Sequence, residues 1–213
     1  MNIAAIQHPR TLADVIPQSS DRVRNQLRTA ALVFGFAALT AVFAQIRFNL
    51  SFTPVPITGQ TFAVLLAGAA LGWRLGIASQ AVYWIIGIAM PIPWYADDQT
   101  GSSIQEGWNV ATGTTMGYFV GFIVAAGIVG YLAEIGQDRD IATSIPAMLA
   151  GTAVIYVFGV VWLAYDLNIP IATGDVNAIA YGLTPFLIGD TIKLVAAGLL
   201  TPLAWRGVSR FQQ

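Results

Sequence analysis

The sequence predicts an all-α integral membrane protein with six transmembrane helices and both termini in the cytoplasm. Three observations carry that expectation. The 213 residues are 56% hydrophobic and 10% charged, against about 25% charged in a soluble domain. Uncharged runs close to the length a bilayer needs, about 20 residues, recur between short polar links. The arginines gather on one set of links. Arg10, Arg22, Arg24, Arg28, Arg74, Arg139, Arg206 and Arg210 fall on the side that holds the termini, and only Arg47 falls on the other, beside Asp97, Asp98, Glu106 and Asp175. Cytoplasmic links are the ones enriched in Lys and Arg.

Composition also excludes several classes. A net charge of −1 gives no bulk attraction to nucleic acid. There is no cysteine, so disulfides and thiolate metal sites are ruled out. The single histidine, His8, lies in a polar tail and reads as solvated, since metal sites need several convergent ligands. No metal and no cofactor are expected.

The chain divides into a polar cytoplasmic tail, 1–24, and a six-helix membrane domain, 25–210. The tail is too long and too acidic for a cleaved signal peptide. The first span runs without charge from Thr29 to Ile46. Its small residues Ala37 and Ala41 are four apart, a spacing that suits either packing within the chain or docking of another membrane subunit. Pro54 and Pro56 keep Thr53-Pro54-Val55-Pro56 extended. The second helix, Thr58 to Gly72, is short for a hydrocarbon core of about 30 Å. The stretch before it therefore dips into the protein, where irregular backbone must be buried or line a cavity. Its first-turn N–H groups then either meet a polar ligand or form a plain capped helix start. Gly68, Gly72 and Gly76 repeat every four residues around the turn at Trp73-Arg74 and predict close helix contact.

The third span, Leu75 to Met90, stops at Pro91 and Pro93. The longest loop is expected from Pro91 to Val110, with Trp94, Tyr95 and Trp108 as interface anchors or parts of a lid. The fourth span runs from Thr112 to Leu132, with Gly113, Gly117, Gly121 and Ala125 as a packing seam. The fifth covers Ile145 to Tyr165, and Asp166 to Asn177 is a polar link. Thr184 caps and Pro185 opens the last span, which ends near Trp205.

That last span holds the most informative residues. Asp190 and Lys193 interrupt a run otherwise uncharged from Val176 to Trp205. At i and i+3 they share a helix face, and charges inside a membrane are costly, turned inward and usually functional. Asp190 lies about 8 Å down the helix from Pro185, in the outer half of the bilayer, on the side of the Pro-Val-Pro link. One tail histidine permits no zinc-type catalytic motif. Ser79 has no histidine base in any span, and a single deep acid cannot hold Mg²⁺ for phosphoryl transfer. No nucleotide-binding loop is present. What remains is an outward-facing pocket for a small polar solute, or a structural ion pair.

Four segments, in order, resemble the BioY family, the biotin-specific substrate-binding (S) components of energy-coupling factor (ECF) transporters. They are Pro54-Val55-Pro56-Ile57-Thr58-Gly59-Gln60-Thr61 with Leu65-Leu66-Ala67-Gly68, Thr115-Met116-Gly117-Tyr118-Phe119-Val120-Gly121-Phe122, Ile155-Tyr156-Val157-Phe158-Gly159, and Gly189-Asp190 with Lys193. The resemblance covers residues 27–206. It implies a plasma-membrane uptake component that binds biotin and associates with a transmembrane coupling subunit and ABC-type ATPases. By that resemblance Thr58, Gln60, Thr115, Tyr118, Asp190 and Lys193 contact substrate, and Ala37 and Ala41 meet the coupling subunit. Two departures stand out. Thr114 and Met116 replace the family's Pro and first Gly, which predicts a narrower site, and Gln99–Gly107 looks inserted. The alternatives are an S component for a related carboxylated heterocycle, and a small membrane enzyme or assembly factor with a buried structural ion pair.

Overall fold

In the computed structural model the described residues are 10–90, 92–96 and 103–211; His8, Asp97, Asp98 and residues 99–102 of the stretch 99–107 lie outside them. A single-turn helix at Leu12–Val15 precedes α1, Arg22–Ala44. Asp21 starts α1 by accepting from Val23 N, the side-chain cap that an exposed helix start needs. The link after α1 forms a two-residue ladder, β1 (Arg47–Phe48) antiparallel to β2 (Ile57–Thr58). Then come α2 (Gln60–Leu71) and α3 (Trp73–Ala89). The turn between them is Gly72 at φ 79°, a left-handed conformation open to glycine at little cost.

The long loop is partly helical. Residues Ile104–Thr112 form α4, capped by Ser103, whose hydroxyl accepts from Glu106 N. The next helix, α5, therefore begins at Met116 rather than Thr112 and runs to Glu134. The charged loop and α6 (Ile141–Asp166) follow, then α7 (Ala178–Gly182), a 3-10 turn at Thr184–Phe186 and α8 (Leu187–Phe211). A short helix that Asn177 caps thus lies between the polar link and α8.

Among the described residues, four helical segments can cross a membrane by length and composition: Arg22–Ala44, Met116–Glu134, Ile141–Asp166 and Ala178–Arg210. α2 and α3, at 12 and 17 residues, reach only about 18 and 26 Å.

α5 is the centre of the bundle, packed on α2, α3 and α6. Close approach explains its small residues. A Cβ on Gly121 would lie 2.9 Å from Ile155 Cα of α6, and one on Gly68 of α2 would lie 2.6 Å from Ala126 O of α5. The expected seam is therefore a helix–helix contact. Gly113, expected in that seam, instead closes α4.

The first helix corrects a site expectation. Ala37 is 0% exposed and Ala41 6%, and both belong to the main apolar core. Both are thus packed inside this chain and offer little surface of their own, α1 being packed on α2 and α3. Thr40, on the same edge, hydrogen-bonds Gln80 of α3 at 3.3 Å.

Candidate functional site

The main cavity has a volume of about 350 Å³, within the usual range for small-molecule sites. The link, α2, α4, α5, α6 and α8 all contribute to its wall. It is lined by all six residues expected to contact substrate: Thr58, Gln60, Thr115, Tyr118, Asp190 and Lys193. Apolar walls come from Val55, Phe119, Phe122, Ile155 and Phe186.

Asp190 is the polar centre. It is 5% exposed, so its charge needs partners. Lys193 Nζ lies 2.5 Å from Oδ1. Thr61 Oγ1 donates to Oδ1 at 3.0 Å, and the Tyr156 hydroxyl donates to Oδ2. Lys193 also donates to Thr58 O at 2.5 Å. The ammonium therefore ties α8 to the extended link while neutralising its own acid. Sequence spacing captured the i, i+3 pair but not Thr61 or Tyr156. A tyrosine inside an apolar span was the available signal, because a buried phenol needs a partner.

Other expected residues have different tasks. The Tyr118 hydroxyl donates to Gly182 O at 2.6 Å, so it holds α7 and offers the cavity its ring. Thr115 Oγ1 reaches Val110 O at 3.5 Å, a contact at the limit of a hydrogen bond. The Gln60 side-chain amide lies 2.5 Å from the Tyr83 hydroxyl at one end and 2.9 Å from Thr58 Oγ1 at the other. The first-turn N–H groups of α2 largely face protein acceptors. Gly59 N donates to Phe43 O and Ile46 O, and Phe62 N to Gly59 O; Gln60 N donates to Thr58 Oγ1. The capped-start alternative describes this helix end.

α4 adds Glu106 and Asn109 to the cavity mouth, and no sequence pattern marked them. Thr114 lines the cavity, whereas Met116, the first residue of α5, is not part of its lining. Among the described residues, no group of three or more His, Cys, Asp or Glu converges to hold a metal.

Comparison with known proteins places the chain. A model of the BioY family matches residues 17–210. Biotin transporter BioY of Thermotoga maritima is 36% identical over 166 residues, covering 78% of this chain and 88% of that one. Its counterpart in Rhizobium etli is 33% identical over 178 residues, with 76% and 88% coverage. A crystal structure of the S-component for biotin from an ECF-type ABC transporter superposes with a TM-score of 0.71 at 19% identity, covering 89% of this chain and 95% of that one. That likeness speaks for the fold. The family match over nearly the whole chain and the relatives above 30% identity settle the lineage: the chain belongs to the BioY family.

Proposed function

We propose that this protein is the biotin-binding S component of an ECF-type vitamin uptake transporter, a multi-pass protein of the plasma membrane and not an enzyme. The observation that carries the reading is the Asp190–Lys193 pair, set in the wall of a cavity that mixes polar side chains with aromatic and aliphatic ones. Biotin offers ureido N–H donors suited to Asp190, and carbonyl and carboxylate oxygens suited to Lys193 and the threonine hydroxyls. Its tetrahydrothiophene ring and aliphatic chain suit Phe119, Phe122 and Ile155. Residues 25–210 form the membrane domain and 1–24 a cytoplasmic tail. The six-span arrangement with cytoplasmic termini is part of this proposal: α2 and α3 complete the count, and the arginine bias supports the orientation.

The partners are a transmembrane coupling subunit and ABC-type ATPases. The coupling subunit docks on the outward face of α1, not on Ala37 or Ala41. Ala31 and Gly35 are exposed there, and a Cβ on Gly35 would meet nothing within 4 Å. Glycine in a helix interior costs about 1 kcal/mol relative to alanine, and packing within this chain does not require it.

Binding of radiolabelled biotin to the purified protein tests the ligand. Saturable binding below micromolar concentration is expected, and its absence refutes the assignment. Displacement of biotin by a related carboxylated heterocycle at equal or lower concentration would transfer the assignment to that compound. Gly35→Trp tests the docking face: uptake by cells carrying the coupling module should fall at least tenfold, with biotin binding unchanged. Normal uptake would move the interface elsewhere.

A further inference from the structure

Tyr83 lies outside the cavity lining, yet its hydroxyl touches a residue inside it. The side chain is 1% exposed and its ring is held on three sides. Trp94 stacks at 6.0 Å, Tyr95 meets it edge-on at 5.7 Å and Phe119 lies at 6.1 Å between centroids. Among the described residues, the hydroxyl has a single hydrogen-bond partner, the Gln60 amide at 2.5 Å. The phenol therefore acts on that amide from a rigid position.

Hydrogen counting selects one orientation of the amide. With Nε2 toward Tyr83, the phenol proton has no acceptor in a dry site, an unfavourable outcome. With the amide turned over, the phenol donates to Oε1 and Nε2 faces Thr58 Oγ1, 2.9 Å from the amide. The phenol proton and one amide proton are then paired, and the proton left without a protein partner moves from the buried Tyr83 to Thr58 Oγ1, which lines the cavity. Thr58 Oγ1 also accepts from Gln60 N at 3.3 Å, so both of its lone pairs are occupied. A hydroxyl in that state has only its proton left to offer. The Thr58 backbone is held in place by Lys193, which donates to its carbonyl, and Thr58 lines the cavity.

We infer that Tyr83 is a positioning residue: through Gln60 it sets the Thr58 hydroxyl as a hydrogen-bond donor into the cavity, creating a subsite for a carbonyl or carboxylate oxygen of the ligand. The inference rests on the cavity being the biotin site. It adds a donor on the residue whose carbonyl Lys193 holds, set by Tyr83, a side chain outside the cavity lining.

Biotin affinity of Tyr83→Phe in three backgrounds tests the relay. The substitution removes one oxygen and keeps the ring contacts. It should weaken binding at least tenfold in the wild-type and Thr58→Ser backgrounds, which retain the hydroxyl, and less than twofold in Thr58→Val, which lacks it. Equal losses in all three would assign Tyr83 to packing alone, and no loss anywhere would remove it from recognition; either overturns the relay. A ligand-free reading separates this from failure of the biotin assignment. In wild-type protein that binds no biotin, the functional reading falls, and the relay is judged on the ¹⁵N-labelled Gln60 side-chain NH₂ resonances. Tyr83→Phe and Thr58→Val should each shift them. Unmoved signals in either variant overturn the inference.

Discussion

Asp190 and Asp138 are both buried carboxylates with a cation beside them, and they sit near opposite ends of the last helix. Asp190 belongs to α8. Asp138 accepts from Trp205 Nε1 of α8 at 2.6 Å, fifteen residues further along, or about 22 Å. Around Asp190, α2, α6 and α8 send a hydroxyl, a phenol and an ammonium, and the cluster opens on a cavity. Around Asp138 the partners are local. Arg139 Nε is 3.7 Å from Oδ1, its guanidinium lies 3.8 Å over the Trp205 ring, and Oδ1 has no hydrogen bond. No described cavity includes Asp138. Burial of an acid is common to both, so burial alone does not mark a ligand site. Convergence of several donors on a cavity does. Asp138 pins the α5–α6 loop to the end of α8, whereas Asp190 lines the cavity.

The largest expected effect should fall on one acid only. Asp190→Asn and Lys193→Ala should each weaken biotin binding at least tenfold, about 1.4 kcal/mol or more. Asn cannot neutralise Lys193, and Ala removes the tie to Thr58 O. If both variants are folded and bind like the wild type, the pair is structural and the contrast with Asp138 collapses. Trp205→Phe should act in the opposite way. It keeps a ring beneath Arg139 but deletes the indole N–H, leaving Asp138 with a second unpaired oxygen. Stability to chemical unfolding in detergent should fall by about 1–3 kcal/mol, with biotin affinity within twofold of wild type. A comparable loss of affinity would couple the two ends.

The smallest effect is a pH dependence. Burial pushes the Asp138 carboxyl above the ordinary carboxylate value, offset in part by the Trp205 N–H and then by Arg139. The folded state therefore holds this proton more tightly than the unfolded state. Stability from this group is present at low pH and is lost as pH rises from the ordinary value near 4 through the raised one. Melting temperature followed across that window should decline with rising pH, and Asp138→Asn should flatten the decline. An unchanged slope in the variant would assign it to other groups.

These two acids also show how far residue patterns reach. Asp190 and Lys193 were conspicuous because charges are rare in lipid and their spacing puts them on one face. Asp138 sits in a charged loop, where nothing in the sequence distinguishes a buried carboxylate from a solvated one. Ala37 and Ala41 illustrate a second limit. Four-residue spacing puts two small residues on one edge of α1 but does not say whether that edge faces neighbours within the chain or a partner. The α4 segment is a third case, since its nine residues lie in a stretch rich in Gly, Ser, Asp and Gln and carry no long apolar period.

The residues by themselves determined the membrane class, the break in helix at the Pro-Val-Pro link and the Asp190–Lys193 pair, each from a local cost: exposing apolar surface to water, bending helix around proline, or placing charge in lipid. Thr58, Gln60, Thr115 and Tyr118 came only from the resemblance to the BioY family. Only the tertiary structure decided what joins them. Thr61 reaches Asp190 across 129 positions and Lys193 reaches Thr58 O across 135, while Tyr83 is brought to Gln60 by aromatic packing with Trp94, Tyr95 and Phe119. Such pairings depend on how helix faces are rotated against one another. Close packing of the bundle sets that rotation, and no single segment contains it.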